Sequence, residues 1–593
     1  MPKNAVIMGI GGYLGHDANA ALMIGPNLIS SSQEERFTRK KHDGAFPSYA
    51  VEDCLAAGKI DASEVTDVVF AEKSLQSHLF DVTGQPGGKL TRWLGRWLPG
   101  SWPGLFSRPA RQLFPNAKFH YAWHHRTHVA GAFHTSPFES AAFLCVDGKG
   151  EDYSASAGII DDQQVTIQYE QPYENGLGML YTLVTEYLGF HSFGSEYKVM
   201  GLAPYGRPVF VEHLERLFAT DDRGGLRLKA PIRFSWESRR AAWSKVAEAT
   251  GLPVRQPKDE LSSDHINIAH SLQHIFEREI LKMARFIRDT SGARNLIFCG
   301  GCAQNCVAAG KLRASGLFDA VFNSPVGGDM GSGLGAALML ARQHQPETRL
   351  RPPTRGFYLG SEPGEIPAAA LPWQVDYAGE LHPFIAKELE NGKIVAWVRG
   401  GMELGARALG ARSILADPRP VGMQSRLNQA VKFRESFRPF APVVLAEHCA
   451  EWFDTHERSD YMQYTANLRP ERRAEMPDTF ASLREQLDYP RCEVPSVIHV
   501  DYSARLQTVD AEVHPDLYKL LHAFYDLTKI PILINTSYNV SGQPIVRTAE
   551  QAWDCFVNTD IDLLVLNEHV FRNPREKNRE EKLAWLAQFS EHA

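Results

Sequence analysis

Short apolar runs at residues 141–146, 296–298 and 394–398 end at Gly, Asp or Arg and give way to longer stretches of helical periodicity. Such runs, bounded by turn residues, read as strands buried on both faces. Their alternation with helices specifies α/β sheets that carry function at strand ends. The 593 residues, 44% of them hydrophobic, suffice for two large units with sizeable cores. The formal charge of −7 offers no global basic field for nucleic acid or a membrane surface. Eight scattered cysteines (Cys54, Cys145, Cys299, Cys302, Cys306, Cys449, Cys492 and Cys555) build no disulfide framework and fit a reducing, cytoplasmic setting. No apolar run reaches the ~18 residues that a spanning helix needs. Residues 5–14, which run into His16-Asp17, read as a first strand and turn rather than a signal segment.

Residues 343–371 are rich in Pro, Gly and charge and separate two different motif sets. A boundary near residue 353, dividing 1–352 from 353–593, follows. Residues 83–109 and 471–495 have few periodic positions to anchor them and read as surface excursions.

In the first half, Trp123-His124-His125-Arg126-Thr127-His128 precedes a helical stretch. A helix starting there sets His124 and His128 one turn apart on one face, where two imidazoles can share a metal. The plain alternative is a polar helix start with one histidine capping and the other solvated. Asp147, ending a buried-strand run, and Asp329, in a Gly-rich turn before a helix, supply carboxylates. Two histidines with one or two carboxylates suit a divalent transition ion of the non-haem iron type, and manganese or zinc fit the same donors. Cys299, Cys302 and Cys306 flank a Gly-Gly turn without a fourth ligand at suitable spacing, so they read as packing residues. Glycine clusters at 9–12, 147–150, 300–301 and 327–328 fall at strand–helix turns. In that order they resemble the split phosphate and adenosine loops of the actin-like ATPases, making Gly300 and Gly301 nucleotide-site candidates.

In the second half, eight basic residues between Arg399 and Arg438 face three acids, a local surplus of +5. These arginines alternate with glycine and apolar residues, and buried arginines need anionic partners. An internal ion-pair network is one outcome. A pocket for phosphate-bearing small molecules is the other, joined by the hydroxyls and amides of residues 533–542 and by Arg505.

Several segments together carry a resemblance: Gly15-His16-Asp17-Ala18, residues 34–42 (EERFTRKKH), His124 to His128, residues 196–206 (EYKVMGLAPYG), residues 407–418, Phe437-Arg438-Pro439-Phe440-Ala441-Pro442 and Asn535 to Asn539. They span nearly the whole chain, which resembles the O-carbamoyltransferases of nodulation-factor and antibiotic biosynthesis. The resemblance implies an α/β protein with an N-terminal actin-like (ASKHA) ATPase-type domain that transfers the carbamoyl group. It also implies a C-terminal YrdC-like α/β domain that makes carbamoyl adenylate from carbamoyl phosphate and ATP, with Mg as the nucleotide's counter-ion. The acceptor would be the hydroxyl of a small-molecule natural product.

Carried over by motif, His124, His128, Asp147 and Asp329 match a metal site for Fe(II). Lys432-x-Arg434 and Ser537-x-Asn539 match the K-x-R and S-x-N signature of YrdC-type domains. Arg407, Arg412, Arg438 and Arg505 fall at neighbouring anion-binding positions. Lys432 and Arg407 are catalytic candidates for adenylate formation, and His16 and His42 for the acceptor site. The family's Gly-Pro-Arg is here Gly405-Ala406-Arg407, which removes a rigid turn residue and keeps the charge.

Neither nucleic acid nor a membrane is an expected partner, and a homodimer is open. Competing readings are a tRNA threonylcarbamoyladenosine-type transferase, which needs a basic RNA surface, and a non-catalytic nucleotide sensor. Hydrogenase-maturation carbamoyltransferases add an acylphosphatase module and paired CxxC zinc fingers, which this sequence does not carry.

Overall fold

Residues 6–33 form three short strands that fold back on one another, and the same device recurs at residues 140–172. The computed structural model describes residues 5–72, 107–161, 164–191, 194–229, 236–346, 356–477, 479–480, 482–575 and 577–589. The chain divides into unit 1, Met1–Phe37 with His42–Thr354, and unit 2, Thr38–Lys41 with Arg355–Ala593. Residue 353 and most of the 83–109 segment lie outside the described residues.

The first sheet of unit 1 holds β1 (Val6–Gly11), β2 (Asn19–Ile24), β3 (Asn27–Gln33), β4 (Asp67–Phe70) and β5 (Lys118–Tyr121) in the order β3-β2-β1-β4-β5. Strands β1 to β3 are antiparallel, and β4 and β5 run parallel to β1. The second sheet holds β6 (Ser140–Gly150), β7 (Tyr153–Asp161) and β8 (Val165–Pro172). After a small hairpin of β9 (Phe218–Thr220) and β10 (Leu226–Leu228), β11 (Asn295–Cys299) and β12 (Ala320–Asn323) complete it in the order β12-β11-β6-β7-β8. Strands β6 to β8 are antiparallel, and β11 and β12 run parallel to β6. One topology is thus used twice, the duplicated sheet expected of an actin-like domain.

Helix His124–His134 and helix Ser332–His344 pack against each other within unit 1. Their close approach depends on glycine: a Cβ on Gly335 would lie 1.9 Å from the Thr127 carbonyl oxygen, which no side chain can occupy. This contact brings the histidine-bearing helix against the helix that follows Asp329. The long helix Ser263–Ser291 shows the expected punctuation. The Ser262 side chain accepts from the His265 N–H at its start, and Gly292 stops it in the left-handed conformation at φ 65°.

Unit 2 is a seven-stranded mixed sheet. It contains β13 (Val395–Val398), β14 (Arg412–Ala416), β15 (Ala441–Leu445), β18 (Gln507–Val509), β19 (Ile532–Ser537), β20 (Leu563–Leu566) and β21 (His569–Arg572). Their order is β18-β15-β19-β14-β13-β20-β21, with a separate ribbon of β16 (Thr465–Asn467) and β17 (Ser503–Arg505). Strands β13, β14 and β15 are buried throughout, and their apolar residues share one core with Leu517, Leu520, Leu521 and Phe524 of helix Pro515–Thr528. Burial of this kind is worth about 1.5–3 kcal/mol per large aliphatic side chain.

Segment 471–495 lies at the surface as expected, with only Leu487, Arg491, Val494 and Pro495 buried among its described residues. It contains helix Leu483–Leu487, and the side chain of Arg491, 1% exposed, donates to the carbonyls of Gln486, Leu487, Pro495 and Ile498. Carbonyl capping by one buried guanidinium anchors a segment that lacks apolar periodicity.

Candidate active site

Trp123 holds extended backbone (φ −69°, ψ 135°) immediately before helix His124–His134, so the helix starts at His124 and places His128 one turn on. The two Nε2 atoms stand 2.9 Å apart. Asp147 in β6 and Asp329 at a short 3-10 turn bring carboxylate oxygens to the same point. From His124 Nε2 the distances are 3.7 Å to Asp147 Oδ2 and 3.3 Å to Asp329 Oδ1. From His128 Nε2 they are 3.1 and 3.3 Å. A tetrahedral ion with bonds of about 2.0–2.1 Å separates its ligands by about 3.3–3.4 Å, so the four donor atoms fit one small divalent cation.

A buried polar atom supports the same fit. Asp147 Oδ2 is buried and, apart from the two imidazoles, has no hydrogen-bond partner among the described residues, an arrangement that costs stability unless another species satisfies it. Burial disfavours charge on His124, yet Asp329 and Asp147 outweigh it and raise its pKa well above the usual value. Burial would likewise protonate Asp147, but hydrogen bonding from His124 and His128 holds it below the ordinary carboxylate range. His125, pointing instead to Ser156 Oγ at 2.7 Å, is desolvated and pushed down to about 3. It is a neutral packing histidine. On Gly301, against β6, a Cβ would lie 2.8 Å from Asp147 Oδ1, and Gly300 turns at φ 87°. The two glycines therefore let the loop after β11 close on Asp147.

His16 and His42 meet through a residue whose role the sequence reading did not assign. Asp17 Oδ2 lies 2.8 Å from His16 Nδ1, and Asp17 Oδ1 lies 2.9 Å from His42 Nδ1. His16 Nε2 in turn stands 3.3 Å from Asp329 Oδ2. Burial opposes a charged His16, while Asp329 and Asp17 carry its pKa up to about 9. His16 thus borders the metal-type cluster directly, and His42 reaches it only through Asp17. The signal available in the sequence was the His-Asp adjacency itself.

In unit 2, residues Leu427–Lys432 wind as a π-helix that Phe433 stops at φ 50°, the kind of irregularity that marks functional sites. It delivers Lys432 into the sheet, onto β19 and the turn after it. Lys432 Nζ donates to the Ser537 carbonyl, to Ser537 Oγ at 3.3 Å, to the Asn539 carbonyl at 3.0 Å and to Asn539 Oδ1 at 3.1 Å. All four acceptors are neutral, and among the described residues no carboxylate lies within ion-pair reach of Lys432. Desolvation, reinforced by Arg434 and Arg438, lowers its pKa well below the usual lysine value.

Arg434 is fixed by Asn428 Oδ1 at 2.7 Å and lies over the Phe440 ring, while Arg438 stands 3.4 Å from Glu435. Arg407 is half-buried in a loop shaped by Gly405 and Gly410 at φ 106° and 114°. Those glycines, not residue 406, determine the turn. Arg505 lies in the β16–β17 ribbon.

Arg412 requires correction. It is fully buried, with Nε on the Arg547 carbonyl, Nη1 on the Gly400 carbonyl at 3.0 Å and Nη2 on the Ser361 carbonyl at 3.1 Å. Its donors are committed to the backbone, so it braces the loop instead of binding substrate. Glu403, unassigned from sequence, does the same from the other side: one oxygen accepts from the N–H groups of Leu409, Ala411 and Arg412 at 2.7, 3.2 and 3.1 Å.

Residues 111–338 match the family model described as Carbamoyltransferase N-terminus, and residues 386–573 the one described as Carbamoyltransferase C-terminus. An uncharacterized protein of Synechocystis sp. is 38% identical over 98% of this chain and 99% of its own length. Nodulation protein NolNO of Sinorhizobium fredii is 32% identical over 94% of this chain and 79% of its own. Nodulation protein NolO of Bradyrhizobium diazoefficiens is 34% identical over 76% and 78%. Among solved structures, component A of the (R)-2-hydroxyglutaryl-CoA dehydratase of Acidaminococcus fermentans overlaps at a TM-score of 0.31, with 14% identity over 57% of this chain and 98% of that one. With both family models matched in order and the nodulation proteins 32% and 34% identical over most of the chain, the chain belongs to the carbamoyltransferase family and is a carbamoyltransferase.

Proposed function

We propose that this carbamoyltransferase is ATP-dependent and acts on a hydroxyl of a small-molecule natural product. In the first reaction carbamoyl phosphate, water and ATP give carbamoyl adenylate, phosphate and pyrophosphate. The carbamate oxygen bonds to the α-phosphorus of ATP as the bond to pyrophosphate breaks. In the second, the acceptor oxygen bonds to the carbamoyl carbon, AMP leaves, and one proton is released. The observation that carries this reading is Lys432: a buried ammonium that meets four neutral oxygens and no carboxylate, crowded by Arg434 and Arg438, concentrates positive charge that the protein itself leaves unbalanced. A triphosphate or carbamoyl phosphate balances it, and such positioning and charge neutralisation are most of what phosphoryl-group chemistry asks of a protein.

The transfer step belongs to unit 1. His124, His128, Asp147 and Asp329 would hold Fe(II) or a similar divalent ion, which when bound polarises a carbonyl or offsets phosphate charge. His16, tied through Nδ1 to Asp17, is the acid–base group of the acceptor site; with its pKa carried up to about 9 it takes the acceptor proton at Nε2 in its neutral form, which alkaline pH favours. Asp17 and His42 hold that imidazole in orientation. Gly300 and Gly301 let the loop after β11 lie against Val146 and Asp147, and their place in the nucleotide site rests on the resemblance to actin-like loops.

The test is carbamoyl-phosphate-dependent release of pyrophosphate from Mg-ATP by the purified protein, followed by a screen of hydroxylated metabolites for uptake of labelled carbamoyl. Release that depends on carbamoyl phosphate and disappears in Lys432→Met is the expected result. Release independent of carbamoyl phosphate, or retained in Lys432→Met, overturns the assignment.

A further inference from the structure

A second group of metal-type donors sits in the first sheet of unit 1. Asp329 precedes helix Ser332–His344 and His344 ends it, so the 13-residue helix, about 20 Å long at 1.5 Å per residue, separates this group from the cluster described above. Asp67 opens β4 with its side chain 5% exposed. Among the described residues no lysine or arginine lies within ion-pair reach of it. Thr66 Oγ1 donates to Asp67 Oδ2 at 2.7 Å, leaving Oδ1 toward two imidazoles. His120 Nε2 stands 2.8 Å from that oxygen and His344 Nε2 3.8 Å from it.

Three separate elements build this arrangement. Asp67 pairs with Lys118 in the parallel β4–β5 register, and two residues further on His120 returns to the same face. His344 comes from the last turn of the helix packed on β4. A hydrogen bond accounts for His120 and Asp67 alone. At 3.8 Å His344 is beyond hydrogen-bond distance, yet the three donor atoms all lie within 4.8 Å of one another. Ligands sharing an ion with bonds near 2.1 Å stand about 3–3.6 Å apart, so the two partly exposed imidazoles close the set by turning toward each other over about an ångström. The hydroxyl on Asp67 Oδ2 is the outer-shell bond that orients ligating carboxylates. Both imidazoles are about one-third exposed, at 34% and 35%, which leaves water access to the remaining positions.

We propose that Asp67, His120 and His344 form a second divalent-cation site, suited to Zn²⁺ or another ion that accepts mixed nitrogen and oxygen ligands. Filling it straps the C-terminal end of helix Ser332–His344 to β4 and β5. The proposal stands independently of the carbamoyl chemistry.

The experiment titrates metal-stripped full-length protein with Zn²⁺ alone, reading stoichiometry by calorimetry and melting temperature. The unaltered protein is expected to take two equivalents and His344→Gln one. His124→Ala/His128→Ala is expected to keep one equivalent and a zinc-dependent rise in melting temperature that disappears when His344→Gln is added. His344 is partly exposed in a last helical turn, so its replacement leaves the fold intact, checked by an unchanged zinc-free melting temperature. Asp67→Asn gives the same loss of one equivalent by removing charge with little change of shape. Equal stoichiometry with and without His344, or no zinc bound by His124→Ala/His128→Ala, overturns the site.

Discussion

The Nε2 atoms of His124 and His128 stand 2.9 Å apart at the start of one helix. Two imidazoles at that distance share either a proton or a cation, and the adjoining Asp147 and Asp329 oxygens supply negative charge for the latter.

Replacing His128 by alanine therefore removes one of four donors. Bound iron or its substitute, measured by elemental analysis, is expected to fall with it. Carbamoyl transfer to the acceptor drops by about 100-fold or more, while carbamoyl-phosphate-dependent pyrophosphate release is unchanged. Loss of both activities together would show that His128 acts on folding.

Asp17 holds His16 and His42 through its two oxygens. Asp17→Asn keeps the shape but turns an amide N–H₂ toward one imidazole. The expected outcome is a fall in the transfer rate of about 10²-fold, the scale of a positioned acid–base group, with pyrophosphate release retained. Retained transfer would remove His16 from the proposed role.

Lys432 yields a pH prediction. Burial and the neighbouring arginines lower its folded-state pKa below the ordinary value of 10.5, so across that interval the unfolded chain binds more protons. Its destabilising contribution is full below the folded pKa and is relieved as pH rises toward 10.5, with a slope of at most about 1.4 kcal/mol per pH unit. Urea midpoints measured from pH 7 to 10 are expected to rise with pH for the unaltered protein relative to Lys432→Met. A parallel pair of curves would refute the shift.

Glu403 places one carboxylate oxygen against three backbone N–H groups of the loop that carries Arg407. Alanine there leaves buried donors unsatisfied, at about 1–3 kcal/mol each before relaxation. Chemical denaturation should show Glu403→Ala losing about 2–4 kcal/mol, and Glu403→Gln, which keeps a carbonyl acceptor, losing less.

The metal-type cluster was legible because its histidines lie one helical turn apart and its carboxylates sit at strand and helix boundaries. Lys432, Ser537 and Asn539 were also singled out, but on the strength of a motif. Spacing of about a hundred residues in the chain says nothing about contact, which the π-turn and the end of β19 produce. Arg412 misled because charge in an apolar loop implies a partner without saying whether that partner is a ligand or the chain's own carbonyls. Segment 471–495 is the surface excursion its sequence suggested, and only its anchor was hidden, since Arg491 holds it without any hydrophobic period.

Local chemistry along the chain was sufficient to determine the α/β class, the start of the histidine helix and the donor types at each site. Those properties depend on neighbours within one turn or one strand, where periodicity and steric preference act. Tertiary structure alone decided that one sheet topology occurs twice, that Asp17 joins His16 to His42, and that His344 meets Asp67 and His120. Each of these depends on register between strands or on a helix crossing set by Gly335 against Thr127, and such contacts exist only once distant segments pack.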